Sequence, residues 1–349
     1  MKDLLKYVGM DVHKSTTVII VLNAQGKFEM QAIIKTETDA FREFFSKLAG
    51  TIKVIFEEGT QSAWLYQLIK PLVTEVVVCD VRKHKQSRNH GDKIDAEQLA
   101  QLLRLGNVTS VYKGDTQQRR LKELARNYEN LVSDATRATN RLKALYRARA
   151  IDCPRRKIFN PAEREQWLGK LNDPAARFRA QSLLEQLETI QRLRKAARLE
   201  LIKQAQQHPD YKRLLKVPAF GPVRVAQLLA WVGIPHRFRT KHQFWPYCGL
   251  AVVTHSTAQY VIEEGRIQKR RKATFTRGLN RNHCPTLKQV FKGAAQLALA
   301  REPYQAFYQD LLDKGRRPEM ARLTLARKLA ATVLAIWQHQ EEFDASKVA

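Results

Sequence analysis

Between residues 116 and 206 the chain carries a single glycine, Gly169, and two highly charged runs in which leucine and isoleucine return every three or four positions. That spacing lays the apolar side chains along one stripe of an α-helix. The runs cover residues 116–150 and 175–207, and the link between them, CPRRKIFNPAERE, holds two prolines. Long helices draw most of their stability from packing, so stripes of this length need a partner. Two arms joined in this way read as an antiparallel coiled coil that packs against a second subunit or lies along nucleic acid. A solvated helical hairpin is the plainer alternative. The stretch divides the chain into three segments: residues 1–112, 113–206 and 207–349.

The chemistry of the partner follows from charge. The 349 residues include 61 Lys and Arg against 34 Asp and Glu, a formal net charge of +27. Residues 1–105 hold 15 basic and 13 acidic side chains, so almost all of the surplus falls on the rest of the chain. A polyanion is the expected partner, with nucleic acid ahead of a membrane surface. The near-neutral first third keeps acidic groups that can hold a cation. Cysteines stand at 79, 153, 248 and 284, with no CxxC pair and no Cys/His cluster of zinc spacing, which argues against structural zinc. With no signal peptide and no apolar run of transmembrane length, the expectation is a soluble, cytoplasmic protein that makes no membrane contact.

The first third alternates strand and helix patterns. YVGMDVHK and TTVIIVLN lead through an AQG turn to KFEMQAII; a helix pattern, DAFREFFSKLAG, precedes the buried strand TIKVIFEEGT; and SAWLYQLIKPL precedes TEVVVCDV. This order predicts an α/β layer with a mixed sheet, in which ligand sites gather at the carboxyl ends of strands. Asp11 and the pair Glu57/Glu58 occupy such positions. GDKIDAEQLAQLLRLG then opens a helix with Asp92 and Asp95 three apart, on one face. Acids in a first helical turn also cap the helix and oppose its dipole. Together with the strand-end acids, however, they make a four-carboxylate set of the kind that binds divalent metal ions for phosphoryl transfer.

In the last third, LLKVPAFGPVRVAQLLAWVGIP reads as a helix-hairpin-helix, whose tight loop can meet a phosphate, although Ala219 stands where glycine is usual. A structural hairpin fits the same residues. Downstream, Thr254, Ser256 and Thr257 form a hydroxyl cluster, and eight basic residues follow between Arg266 and Lys288. Hydroxyls in a loop usually serve turn hydrogen bonds. A serine beside positive charge also suits attack on a phosphodiester, because the basic groups stabilise charge on the phosphoryl oxygens. Arg266, Lys269, Arg270, Arg271, Lys272, Arg277 and Arg281 are the candidate nucleic-acid contacts. Two further helices close the chain.

Taken in order, YVGMDVHK, FEEGT, GDKIDA, a helical middle, VPAFGPVRVAQLLA, YCGLAVVTHST and a basic stretch ending in NRNH resemble the IS-one-ten type transposases, relatives of the Piv-type DNA invertases. The resemblance runs from about residue 7 to residue 340. It implies a RuvC-like (RNase H fold) N-terminal domain with a DEDD metal site, a coiled-coil insertion for oligomerisation, and a mainly helical transposase domain that supplies a serine nucleophile. Carried over, the Mg2+ ligands are Asp11, Glu57, Asp92 and Asp95. Glu57 is preferred to Glu58 because the family motif places its Glu directly after the strand and a small residue next. The family spacing from Gly249 points to Thr257, whereas the less hindered primary hydroxyl is that of Ser256. The implied activity is DNA recombination through a covalent phosphoserine in a dimer to tetramer, with a structured noncoding RNA as guide. Holliday-junction-type nucleases and domesticated, non-catalytic DNA- or RNA-binding proteins share many of these features. An actin-like sugar kinase, suggested by GMDVHKSTT, is disfavoured by the basic surplus and by the lack of later glycine-rich nucleotide loops.

Overall fold

The computed structural model describes residues 5–80, 91–152, 159–255, 260–263, 266–269 and 275–348. The chain is a mixed α/β protein that forms two compact units, Met1–Lys113 and Gly114–Ala349.

Among the described residues, the first unit is built on a five-stranded sheet. β1 (Leu5–Val12), β2 (Thr16–Asn23) and β3 (Phe28–Lys35) form an antiparallel meander, and β4 (Thr51–Glu57) and β5 (Glu75–Cys79) add in parallel on the other side of β1, giving the order β3-β2-β1-β4-β5. The β2–β3 turn is set by its sequence. Asn23 Oδ1 accepts from the amides of Gln25 and Lys27, and Gly26 takes the left-handed φ of 82° that closes the turn. α1 (Thr38–Ser46) and α2 (Ser62–Ile69) cover one sheet face, packing Phe41, Phe45, Leu65 and Ile69 on Val8, Met10, Val54 and Phe56. α3 (Asp92–Arg104) covers the other, with Ala96 and Ala100 against Ile20 and Leu22, and Leu99 against Ile55 and Cys79. Central strands covered on both faces explain the nearly continuous apolar runs in β2 and β4.

The second unit opens with α4 (Thr116–Arg147) and α6 (Pro174–Ala205), each of 32 residues, with the short α5 (Arg164–Gly169) between them. Asp115 and Asp173 cap the long helices by accepting from first-turn amides, and Pro174 stands at the first position of α6. The two run antiparallel. Leu121 and Ala125 meet Leu201 and Ala205 at one end, Ala135 and Ala138 meet Leu187 midway, and Leu142 and Tyr146 meet Ala176, Ala180 and Leu184 at the other.

Around the Leu201 end gather α7 (Tyr211–Leu215), α8 (Pro222–Val232), α9 (Lys241–Tyr247), α10 (Pro285–Ala298), α11 (Tyr304–Asp313) and α12 (Pro318–His339), sharing a core that includes Val225, Leu229, Phe244, Phe291, Leu329 and Trp337. Glu129 ties α4 to this core. Its carboxylate accepts from Gln227, Trp231 and Thr286 at 3.1, 3.0 and 2.8 Å. Among the described residues, four short strands lie between α9 and α10: β6 (Val252–His255) pairs with β9 (Phe275–Leu279), and β7 (Tyr260–Glu263) with β8 (Arg266–Lys269). Among the described residues no helix is long and apolar enough to cross a membrane.

Candidate metal centre

Alternation along β1 sends Val8 and Met10 under α1 and α2, which leaves Gly9 and Asp11 on the α3 face. Gly9 is required there. A Cβ at this position would stand 1.9 Å from the carbonyl oxygen of Ala96 and 2.6 Å from the amide nitrogen of Ala100. α3 therefore lies with its backbone directly on β1, and the contact brings the first turn of α3 beside the carboxyl end of the strand.

Three side chains meet at that point. His13 Nε2 is 3.1 Å from Oδ2 of Asp11 and 3.2 Å from Oδ2 of Asp92. One ligand atom from each of Asp11, His13 and Asp92 lies within 4.8 Å of the other two, compact enough for one ion. Asp11 is the sheltered member, with 19% of its side chain exposed, whereas His13 and Asp92 open to solvent. Burial raises the Asp11 pKa above the usual carboxylate range; His13 pulls it down, and the charges of Asp92 and Asp95 push it up again. A half-buried carboxylate crowded by two others is relieved by a cation. A donor set of carboxylate oxygens suits hard divalent ions, and the imidazole adds a borderline ligand.

Sequence reasoning did not single out His13. No local signal marks it, since β1 ends at Val12 and the imidazole meets Asp92 only once α3 is in place.

Asp95 lies one turn along α3 from Asp92 and is half-buried, close enough for its charge to act on Asp11. Glu57 ends β4 on the neighbouring strand. The last β1–β4 pair is Met10 with Phe56, so Glu57 follows at the level of Asp11, on the same face as Ile55, which packs toward α3. Glu57 pairs with Cys79 across the ladder, and its charge adds to burial in pushing the Cys79 thiol up to about 12. Glu58 is engaged elsewhere: its carboxylate pairs with Lys113, which also donates to Ser62 Oγ at 3.0 Å. Asp95 and Glu57 thus border the compact group of Asp11, His13 and Asp92, and Glu58 turns toward the start of α2.

In the second unit, Arg266 and Arg281 are exposed, and Lys269 and Arg277 lie in β8 and β9. Ser256, Thr257, Arg270, Arg271 and Lys272 lie outside the described residues. The segment between α7 and α8 forms the expected tight turn, with Ala219 at φ 69°, the left-handed conformation that glycine adopts freely.

Two family models match the chain. A transposase model of the DEDD IS110 type matches residues 8–148, and one described as Transposase IS116/IS110/IS902 family matches residues 211–309. The chain belongs to the IS110-type transposases. No curated protein matches it. As a DNA transposase the protein is an enzyme whose substrate is a polyanion, which accounts for the +27 charge. The first match spans the whole acidic set from Asp11 to Asp95, and the second includes the turn at Ala219 and the basic run.

Proposed function

We propose that this transposase cuts and rejoins DNA through a covalent phosphoserine intermediate, with Mg2+ held by Asp11, Glu57, Asp92 and Asp95 in a RuvC-like (RNase H fold) domain of residues 1–112. The observation that carries the reading is the meeting of Asp11, Asp92 and His13 at the end of β1, with Asp95 and Glu57 at its border. A divalent ion bound there supplies charge stabilisation on phosphate oxygens. Asp11, sheltered and electrostatically strained, is the anchoring ligand; Asp92, exposed on the first turn of α3, faces solvent where a DNA phosphate arrives. His13, bridging the two, keeps them at a fixed separation.

In the chemical step the hydroxyl of Ser256, or of Thr257 as the alternate, attacks phosphorus. An Oγ–P bond forms, the P–O3′ bond breaks, the hydroxyl proton passes to the leaving 3′-oxygen, and the 5′-phosphate remains on the protein. Arg266, Lys269, Arg270, Arg271, Lys272, Arg277 and Arg281 hold the DNA backbone. Residues 113–206 act as a coiled coil for assembly into a dimer or tetramer, residues 207–349 form the transposase domain, and a structured noncoding RNA selects the DNA partners by base pairing. The place of action is the cytoplasm.

The test uses DNA carrying the element's ends, with covalent adducts trapped under denaturing conditions. Asp11→Asn and Asp92→Asn are expected to lower Mg2+-dependent cleavage on the order of 10²-fold or more while DNA binding is kept. The Ser256→Ala/Thr257→Ala double variant is expected to lose the adduct. Strand exchange at full rate in that double variant would instead assign a water nucleophile, the chemistry of a junction-type nuclease.

A further inference from the structure

The Gly114–Ala349 unit holds a cavity of about 420 Å³, formed by the chain leading into α9, one face of α12 and the segment that follows α12. That size falls within the range of small-ligand sites, ~300–1,000 Å³. Ala331, Leu334, Ala335 and Gln338 recur at i, i+3, i+4 and i+7, so they share one face of α12. Two alanines on that stripe leave room above it. Gln338 fixes the edge: its Nε2 donates to the carbonyl oxygens of Pro235 and Phe238 at 3.2 and 2.6 Å, which holds the chain before α9 on α12.

The charged groups sort by element. Arg239 and Lys241, both exposed, come from the α9 side, and Lys328 comes from α12. Among the described residues neither Arg239 nor Lys241 has a carboxylate partner. Lys241 Nζ lies 5.7 Å from the ring centre of Trp245, and Lys328 Nζ 5.4 Å from that of Phe307. The segment after α12 supplies Glu341, Glu342 and Asp344, each engaged through one oxygen. Glu341 Oε2 pairs with Lys347 and Glu342 Oε2 with Lys216, both at 2.9 Å, and Asp344 Oδ1 accepts from the amide and hydroxyl of Ser346 at 2.9 and 2.7 Å. The second oxygen of each carboxylate is left to accept from a ligand. One small space therefore offers cations without partners, an apolar floor and carboxylate acceptors.

We propose that this cavity takes a single unpaired nucleotide of a nucleic-acid strand, with its phosphate on Arg239 and Lys241, its base on the α12 stripe, and an amino group of the base donating to the carboxylates. Guanidinium and ammonium groups match phosphate oxygens. An unpaired base is held between flat apolar contacts and read at its Watson–Crick edge. In a duplex the partner strand occupies that edge, so a paired base does not meet this set of acceptors. The acceptors also select among bases, because cytosine presents an N4 amino donor where thymine presents the O4 acceptor. The pocket rests on the chain's action on nucleic acid as a transposase, and neither the metal ligands nor the serine enters it.

The test is fluorescence anisotropy with the full-length protein in EDTA at moderate salt. The labelled probes, each of about 12 nucleotides, are oligocytidine as DNA and as RNA, DNA oligothymidine, and a DNA duplex of the same length. The parent is expected to bind oligocytidine about tenfold more tightly than oligothymidine, and Asp344→Asn to narrow that preference. Ala335→Trp, which fills the space above the stripe, and Lys241→Gln, which removes a phosphate contact, should each weaken oligocytidine binding about tenfold and duplex binding by no more than about twofold. Whichever strand loses more, DNA or RNA, is the source of the nucleotide. Arg322→Gln is the control, since Arg322 is paired with Glu319 at 3.5 Å, and it should bind every probe as the parent does. The pocket is overturned if Ala335→Trp binds oligocytidine like the parent, if the duplex loses as much as oligocytidine, or if the parent binds oligothymidine equally well. Ala335 and Lys241 are both exposed, so neither variant disturbs the core. EDTA removes metal chemistry from the readout, so a failed metal site and a failed pocket are told apart.

Discussion

The contact of α3 with β1 sets the candidate metal centre, and Gly9→Ala perturbs it directly. The added Cβ would stand 1.9 Å from the Ala96 carbonyl oxygen and 2.6 Å from the Ala100 amide nitrogen. Both neighbours are backbone atoms of a helix, so no side-chain rotation relieves the overlap, and α3 has to withdraw by at least about 1 Å to restore van der Waals contact. Overpacking of this kind costs about 1–3 kcal/mol. The same withdrawal carries Asp92 away from Asp11, and the ligand atoms of the group span no more than 4.8 Å. A shift of that size loosens the site, and the expected loss of divalent-ion affinity is about tenfold, equivalent to about 1.4 kcal/mol. Two assays check this: Mn2+ titration followed by electron paramagnetic resonance, and urea unfolding with and without the ion. Gly59→Ala is the control, because a Cβ at that position meets nothing within 4 Å. If Gly9→Ala bound Mn2+ as tightly as the parent and unfolded at the same urea concentration, the assignment of α3 placement to this glycine would be wrong.

Three further outcomes are expected. At the turn before α8, Ala219→Val should destabilise by about 2 kcal/mol or more, since a β-branched side chain at φ 69° is a genuine outlier, whereas Ala219→Gly should stay within about 1 kcal/mol of the parent because relief of strain offsets the lost buried methyl; chemical denaturation measures both. His208 accepts the Asp210 amide on Nδ1 at 3.2 Å, and burial lowers its pKa in the fold against the smaller opposing pull of Asp210 and Asp115. The neutral form is thus favoured by folding, so this contribution is fully present above the unfolded pKa of about 6.5 and is lost as pH falls through the depressed folded value; urea midpoints at pH 7.5 and 5.5 should differ less in His208→Gln than in the parent, and equal differences would remove His208 from the account. Finally, Glu57→Gln should weaken Mn2+ binding while Glu58→Gln leaves it unchanged and only frees Lys113, a contrast read by the same titration; the reverse order would reassign the ligand.

Much of the first unit was legible because its strands repeat at period two or run apolar without a break, and its helices carry turn residues at their ends. Asp11, Asp92 and Asp95 could be read as strand-end and helix-start acids from local pattern alone. Which way Glu57 and Glu58 point turns on alternation: with Phe56 facing α1 and α2, Glu57 faces α3, while Glu58 pairs with Lys113. That step needs the sheet, because nothing near Glu58 in the sequence announces Lys113. His13 was missed for a similar reason, since its place in the group depends on Asp92, which α3 brings back from far along the chain. In the second unit the helical arms were plain from their apolar stripes, while the hydroxyls of Ser256 and Thr257 lie outside the described residues. Ala219 and Gly293 show where sequence reading misleads. Alanine in place of the turn glycine looks like a departure from the helix-hairpin-helix pattern, and glycine within α10 looks like a flaw in the helix; yet the turn keeps its left-handed residue, and the flaw opens the space in which Arg224 lies. Each is unfavourable locally and consistent only when the guanidinium between them is considered, since Arg224 donates to the Ala219 carbonyl and fills the space over Gly293.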